Sequence, residues 1–94
     1  MVIREIIWPQ VRVEHIAGHG VTPRQFEQVC FYRALVLRAR SEGRSPVYHI
    51  LGQTGSGNYL LCIVIHLPDG RGYPVTARPM TTRERQRYQR WRQR

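Results

Sequence analysis

Apolar positions along the chain change their spacing several times, and each change predicts an element. Residues 2–8 (VIREIIW) form a short apolar run closed by Pro9, read as a first strand or an irregular lead-in. In residues 11–19 (VRVEHIAGH) Val11 and His15, or Val13 and Ala17, are spaced for a helix, although Val11-Arg12-Val13-Glu14 also alternates. A short helix is favoured because Gly18 and Gly20 stand where it would stop. Thr22, Pro23 and Gln25 supply an N-cap, a first-turn proline and the partner of a capping box. An amphipathic helix is therefore expected over 23–33, with Phe26, Val29, Cys30 and Arg33 at helical spacing. Residues 35–40 alternate as a strand with Leu35, Leu37 and Ala39 on one face, and 41–45 (SEGRS) is a loop.

The pattern then turns to strands. Pro46 and the T-G-S-G at 54–57 bound a strand over 47–53. Residues 58–67 (NYLLCIVIHL) are almost continuously apolar, as in a central strand covered on both faces. Pro68-Asp69-Gly70 is a tight turn into a strand over 71–78, where Pro74 requires an edge position or a bulge. Such closely joined strands pair most simply as an antiparallel meander. Thr81 and Glu84 repeat the capping-box spacing and start a helix over 82–92. Met80, Glu84, Tyr88 and Trp91 line one side of it; Arg83, Arg87, Arg90 and Arg94 line another, with Arg85 and Arg92 beside it. The expected fold is α+β: N-terminal helices packed on a curved antiparallel sheet, then a basic C-terminal helix, in one domain over 1–94.

Composition narrows the function classes. Ninety-four residues are too few for a double βαβ dinucleotide fold. A hydrophobic fraction of 41% argues against disorder. No stretch reads as a signal peptide or a membrane-crossing helix, so a cytoplasmic protein without membrane contact is expected. Cys30 and Cys62 sit in apolar stretches and read as small buried hydrophobes; a disulfide between them stays open. His15 and His19 are four apart but lack a third ligand, and no metal or cofactor is expected. The T-G-S-G stretch is neither a phosphate loop nor a nucleophile elbow.

Charge changes the picture more. The chain holds 15 arginines, no lysine and a net charge of +9. Residues 1–70 carry seven arginines against five acids, and residues 71–94 eight against one. This concentration is the footprint of a surface for a polyanion or for an acidic partner protein. Arg71, Arg83, Arg87 and Arg90 are the expected RNA contacts, since guanidinium groups bind phosphates bidentately at any working pH.

If the polyanion is RNA, cleavage needs few parts, because the substrate's own 2′-hydroxyl is the nucleophile. The protein has to align it, take its proton, steady the phosphoryl charge and protonate the leaving 5′-oxygen. His19 in the G-H-G turn, with Arg78, Glu84, Arg85 and Tyr88 around the last strand–helix junction, are the candidates. Each also has a plain structural use. His19 suits a turn, Glu84 a cap, Tyr88 a core, and Arg78 an ion pair holding the terminal helix.

Several of these pieces occur together in a known family. The I-x-W start (Ile6 or Ile7 with Trp8), the H-G-V-T turn at His19–Thr22 and the Q-F-E-Q-V helix at Gln25–Val29 come in order. The Tyr48…Gly52 strand, Gly57-Asn58-Tyr59-Leu60 and the ending V-T-A-R-P-M-T-x-R-E-R-x-x-Y at Val75–Tyr88 follow. The ordered set resembles the BrnT family of toxins from bacterial type II toxin–antitoxin pairs. The resemblance implies a RelE-like fold and a small ribonuclease with activity residues at His19, Arg78, Glu84, Arg85 and Tyr88. It also implies a cognate ribbon-helix-helix antitoxin, with DNA met only through the toxin–antitoxin complex. The chain departs from the family in having Pro9 and Gln10 after Trp8, and Gly18 where a basic residue usually precedes His-Gly. A nucleic-acid- or partner-binding protein on the same scaffold, weak or inactive as an enzyme, is the alternative.

Overall fold

A computed structural model describes residues 2–41 and 43–94; Met1, and Glu42 within the expected 41–45 loop, lie outside the described residues. The elements are β1 (Glu5–Ile6), α1 (Gln10–Ala17), α2 (Pro23–Phe31), β2 (Leu35–Ala39), β3 (Val47–Gln53), β4 (Tyr59–His66), β5 (Arg71–Pro79) and α3 (Thr82–Arg92). The architecture is α+β, with the first two helices on a sheet and the third helix at the chain's end.

β3 to β5 form the expected antiparallel meander, β2 extends it by pairing antiparallel with β3, and β4 is the middle strand of the order β1-β5-β4-β3-β2. One correction applies to the sheet as a whole. β1 runs parallel to β5, with Glu5 opposite Arg71 and Ile6 opposite Gly72, so the sheet is mixed rather than purely antiparallel. A parallel pair needs a long crossover, which everything from α1 to β4 supplies here. Gly72 makes this approach possible. A Cβ at that position would lie 2.8 Å from both Ile6 Cδ1 and Val64 Cγ2.

Pro74 sits beside a bulge. Val64 pairs with Pro74 but Ile63 pairs with Thr76, leaving Val75 as the extra residue. The carbonyl of Val75 accepts from Arg12 Nη1 at 3.0 Å, and His15 Nε2 lies 3.0 Å from Thr76 Oγ1. Those two contacts tie α1 to β5.

Successive residues of β4 serve opposite faces. Leu60, Cys62 and Val64 join Ile16, Phe26, Val29, Ile50 and Ala77 in the larger cluster beneath α1 and α2. Leu61 joins Leu51 and Tyr88 in a smaller cluster beneath α3, with Met80, Trp91 and Ile63 packed against it. This two-sided burial is why 58–67 reads as an unbroken apolar run.

Both capping boxes form. Thr22 Oγ1 accepts from Gln25 N at 3.2 Å and Thr22 N donates to Gln25 Oε1 at 3.0 Å. Glu84 N donates to Thr81 Oγ1 at 3.2 Å and Thr81 N donates to Glu84 Oε1 at 2.8 Å. α2 stops at Phe31, two residues short of the expected 33, because Tyr32 turns extended. Trp8 anchors the lead-in to α2, donating to Glu27 Oε2 at 2.7 Å and meeting Phe26 edge-on at 5.2 Å.

Candidate functional site

α1 ends at Ala17, and Gly20 then takes φ of 77°, a left-handed turn that returns the chain to buried Val21. His19 is carried on this turn and is exposed. Its ring meets that of His15, one helical turn earlier, at 5.4 Å and nearly perpendicular.

Across from His19 stands the start of α3. A groove of about 470 Å³ separates them, and its lining includes His19, Gln25, Asn58, Tyr59, Met80 and Arg85. Arg85 lies over the Tyr59 ring, its Cζ 4.0 Å from the centroid. The guanidinium is thus positioned by an aromatic face, with no carboxylate ion pair among the described residues, and its charge stays available. Gln89 Nε2 donates to the Tyr59 hydroxyl at 3.4 Å. That hydrogen bond first, and the neighbouring Arg85 next, hold the Tyr59 phenol below its ordinary pKa.

The other expected site residues go elsewhere. Arg78 and Glu84 bind each other, Nη1 to Oε1 at 2.8 Å and Nη2 to Oε2 at 2.9 Å. The Arg78 pairing first, and the Thr81 backbone N–H as well, pull the Glu84 carboxyl down to about 2. The carboxylate is thus ionised near neutral pH, and its contacts fix Arg78 and cap α3. Tyr88 is 1% exposed within the smaller cluster, and its hydroxyl is 3.5 Å from Arg92 Nη1. Arg71 begins β5, at the opposite end from the groove, and pairs with Asp69 at 2.7 Å. Arg83, Arg87 and Arg90 are exposed along α3, as the helical spacing requires.

Of the nine expected site residues, His19 and Arg85 are therefore the two that line this groove. Sequence reasoning passed over Tyr59 and Asn58 as site residues. The available sign was a polar aromatic at the mouth of an otherwise aliphatic strand, directly after a glycine turn.

Neither thiol lines this groove. Both cysteines are free, and Cys62 is buried. Hydrogen bonding to Cys30, then burial, raises the Cys62 thiol well above its usual range, which keeps it un-ionised. Among the described residues no group of three or more His, Cys, Asp or Glu is placed to hold a metal ion. No helix among them is long and apolar enough to cross a membrane. Neither a family model, nor a curated protein, nor a solved structure matches the chain.

Proposed function

We propose that this chain is a metal-independent endoribonuclease of the RelE-like, BrnT-type toxin class, neutralised by a cognate ribbon-helix-helix antitoxin. The observation that carries the reading is the groove in which an exposed histidine faces an arginine with no carboxylate partner among the described residues, beside a helix bearing further exposed arginines. Arg85 binds the scissile phosphate and steadies the charge that builds on its oxygens. His19 exchanges protons at the reacting oxygens. The 2′-oxygen attacks phosphorus, the 5′-oxygen leaves with a proton, and a 2′,3′-cyclic phosphate remains. Arg83, Arg87 and Arg90 hold the strand along α3, and the Arg78–Glu84 pair is the positioning element that fixes the start of α3, which carries Arg85.

The test is incubation of purified protein with cellular RNA in excess chelator, against His19→Ala and Arg85→Ala. Cyclic-phosphate ends that disappear in both variants support the reading; wild type cutting no better than the variants ends it.

A second reading keeps the RNA and drops the chemistry. It is favoured by Arg78 and Glu84 neutralising each other and by burial of the Tyr88 ring. It predicts tight, salt-sensitive binding without turnover. Growth arrest on expression, relieved by a small neighbouring protein, separates the two in cells.

A further inference from the structure

A second cavity, of about 410 Å³, lies where the end of α2, the β3–β4 turn and the last turn of α3 meet. Its lining includes Gln28, Tyr32, Arg33, Gln53, Tyr88 and Arg92. Both arginines are held, and both are held by neutral groups. Arg33 lies 5.5 Å from the Trp91 ring centroid and donates Nη2 to the Arg92 carbonyl at 2.9 Å. Arg92 Nη1 donates to Gln53 Oε1 at 2.8 Å. No carboxylate among the described residues forms an ion pair with either one. Two positioned like charges in one cavity favour a bound anion, and their remaining N–H groups suit phosphate oxygens.

The rest of the lining suits a base. Tyr32 is 75% exposed at the rim, where α2 gives way to extended chain. The Gln28 side chain is steadied by accepting from Gly55 N at 3.2 Å, which leaves its amide N–H groups for a base edge. The volume falls in the range of small-ligand pockets. The β3–β4 turn divides this cavity from the His19–Arg85 groove. Gln53, Thr54 and Gly55 line one side; Gly57, Asn58 and Tyr59 line the other. The Tyr59 and Tyr88 rings meet edge-on at 6.0 Å between the two.

We infer that this cavity binds one unpaired nucleotide of an RNA strand, its phosphate on Arg33 and Arg92 and its base on Tyr32. The inference rests on the RNA reading above and sharpens it: the substrate is single-stranded, because a duplex keeps its bases stacked away from a tyrosine platform.

The test uses the full chain and a fluorescent 2′-O-methyl oligonucleotide of roughly six residues, which cannot be cut by 2′-oxygen attack. Anisotropy titration gives the affinity. Tyr32→Ala is expected to weaken binding about tenfold, the usual worth of one stacked base, and Tyr32→Trp to keep it. Arg33→Ala is expected to lower the slope of log affinity against log salt by about 0.7. Arg44→Ala removes the same charge at the far end of β3 and should change affinity less than about twofold. Equal behaviour of Tyr32→Ala, Arg33→Ala and Arg44→Ala overturns the inference, as does a wild type that does not bind. Duplex binding as tight as single-strand binding also overturns it, and so does capture of a protein segment in place of RNA. Binding is read without cleavage, so the two readings fail separately. A chain that binds through Tyr32 but never cuts unmodified RNA loses only the nuclease reading. A chain that cuts RNA with Tyr32→Ala unaltered in binding loses only this cavity.

Discussion

The Arg78 guanidinium and the Glu84 carboxylate meet in a two-pronged pair that locks the end of β5 to the first turn of α3. Arg78 Nη1 also donates to the Pro79 carbonyl at 3.0 Å, and Glu84 Oε1 also accepts from the Thr81 backbone. The strand end, the connecting residues and the helix cap thus form one hydrogen-bonded unit. That unit sets the position of Arg85, the next residue, over the Tyr59 ring.

The pair makes stability depend on pH in a defined direction. The Glu84 carboxyl titrates at about 2 in the folded chain, against an ordinary 4.5. Its contribution is therefore complete above about pH 4.5 and is lost as pH falls toward 2. The Arg78 side chain is 40% exposed, so solvent screening limits the effect to about 1–2 kcal/mol. Glu84→Gln should be less stable than wild type by that amount at pH 7, and the gap should close in acid. Urea unfolding of both proteins from pH 7 down to about pH 2.5 checks this; a gap that stays constant removes the pair from the account.

In the groove, His19→Ala and Arg85→Ala should each lower RNA cleavage about a hundredfold or more. Both side chains are exposed, so unfolding free energy should move by less than about 0.5 kcal/mol. Arg85→Lys keeps the charge but loses the planar stack on Tyr59, and recovers part of the rate. Single-turnover cleavage measured beside thermal unfolding reads both effects. A parallel loss of rate and stability would mean that the groove residues act through the fold.

Tyr88 separates a packing role from a chemical one. Its ring is nearly sealed against Leu51 and Leu61, and among the described residues its hydroxyl has one long contact, to Arg92. Tyr88→Phe should therefore keep both stability and cleavage close to wild type. Tyr88→Ala should lose about 3–5 kcal/mol, enough to unfold most of a domain this small. Cleavage abolished in a fully folded Tyr88→Phe would return the hydroxyl to the chemistry.

The parts of this fold legible in the sequence were those written in local chemistry. Thr22 and Gln25, and Thr81 and Glu84, announce their helices because a capping box is a contact between residues three apart. Pro74 announces the bulge because its missing N–H admits few settings in a sheet. β1 left its partner unstated: two paired residues carry no period, and Gly72, which admits them, is some sixty-five residues away. The candidate site divided along the same line. From spacing alone Glu84 reads as a cap or a proton carrier and Arg78 as a phosphate ligand or an ion pair; that the two bind each other is set by a strand–helix corner whose geometry no spacing rule describes. His19 and Arg85 come together through folding alone, and Tyr32 and Arg33 line a cavity only once the end of α3 is brought beside them.

Gly20 and Gly72 are required for different reasons, and substitution can tell these apart. At Gly20 the constraint is conformational: φ is 77° and nothing lies within 4 Å of an added Cβ. Gly20→Ala should lose about 1–2 kcal/mol, and Gly20→Asn less, because asparagine tolerates the left-handed region. At Gly72 the constraint is space: an added Cβ meets Ile6 Cδ1 and Val64 Cγ2 at 2.8 Å and Ile3 Cγ2 at 3.0 Å. Gly72→Ala should lose about 1–3 kcal/mol by overpacking. Ile6→Val deletes one of the three clashing methyl groups, so the double variant should recover part of that loss while Gly20→Ala gains nothing from it. A double-mutant cycle in urea reads the difference as a coupling energy. Coupling of Ile6 to Gly72 but not to Gly20 confirms that β1 is seated on β5 by the missing side chain at Gly72. Zero coupling at Gly72 would place β1 elsewhere.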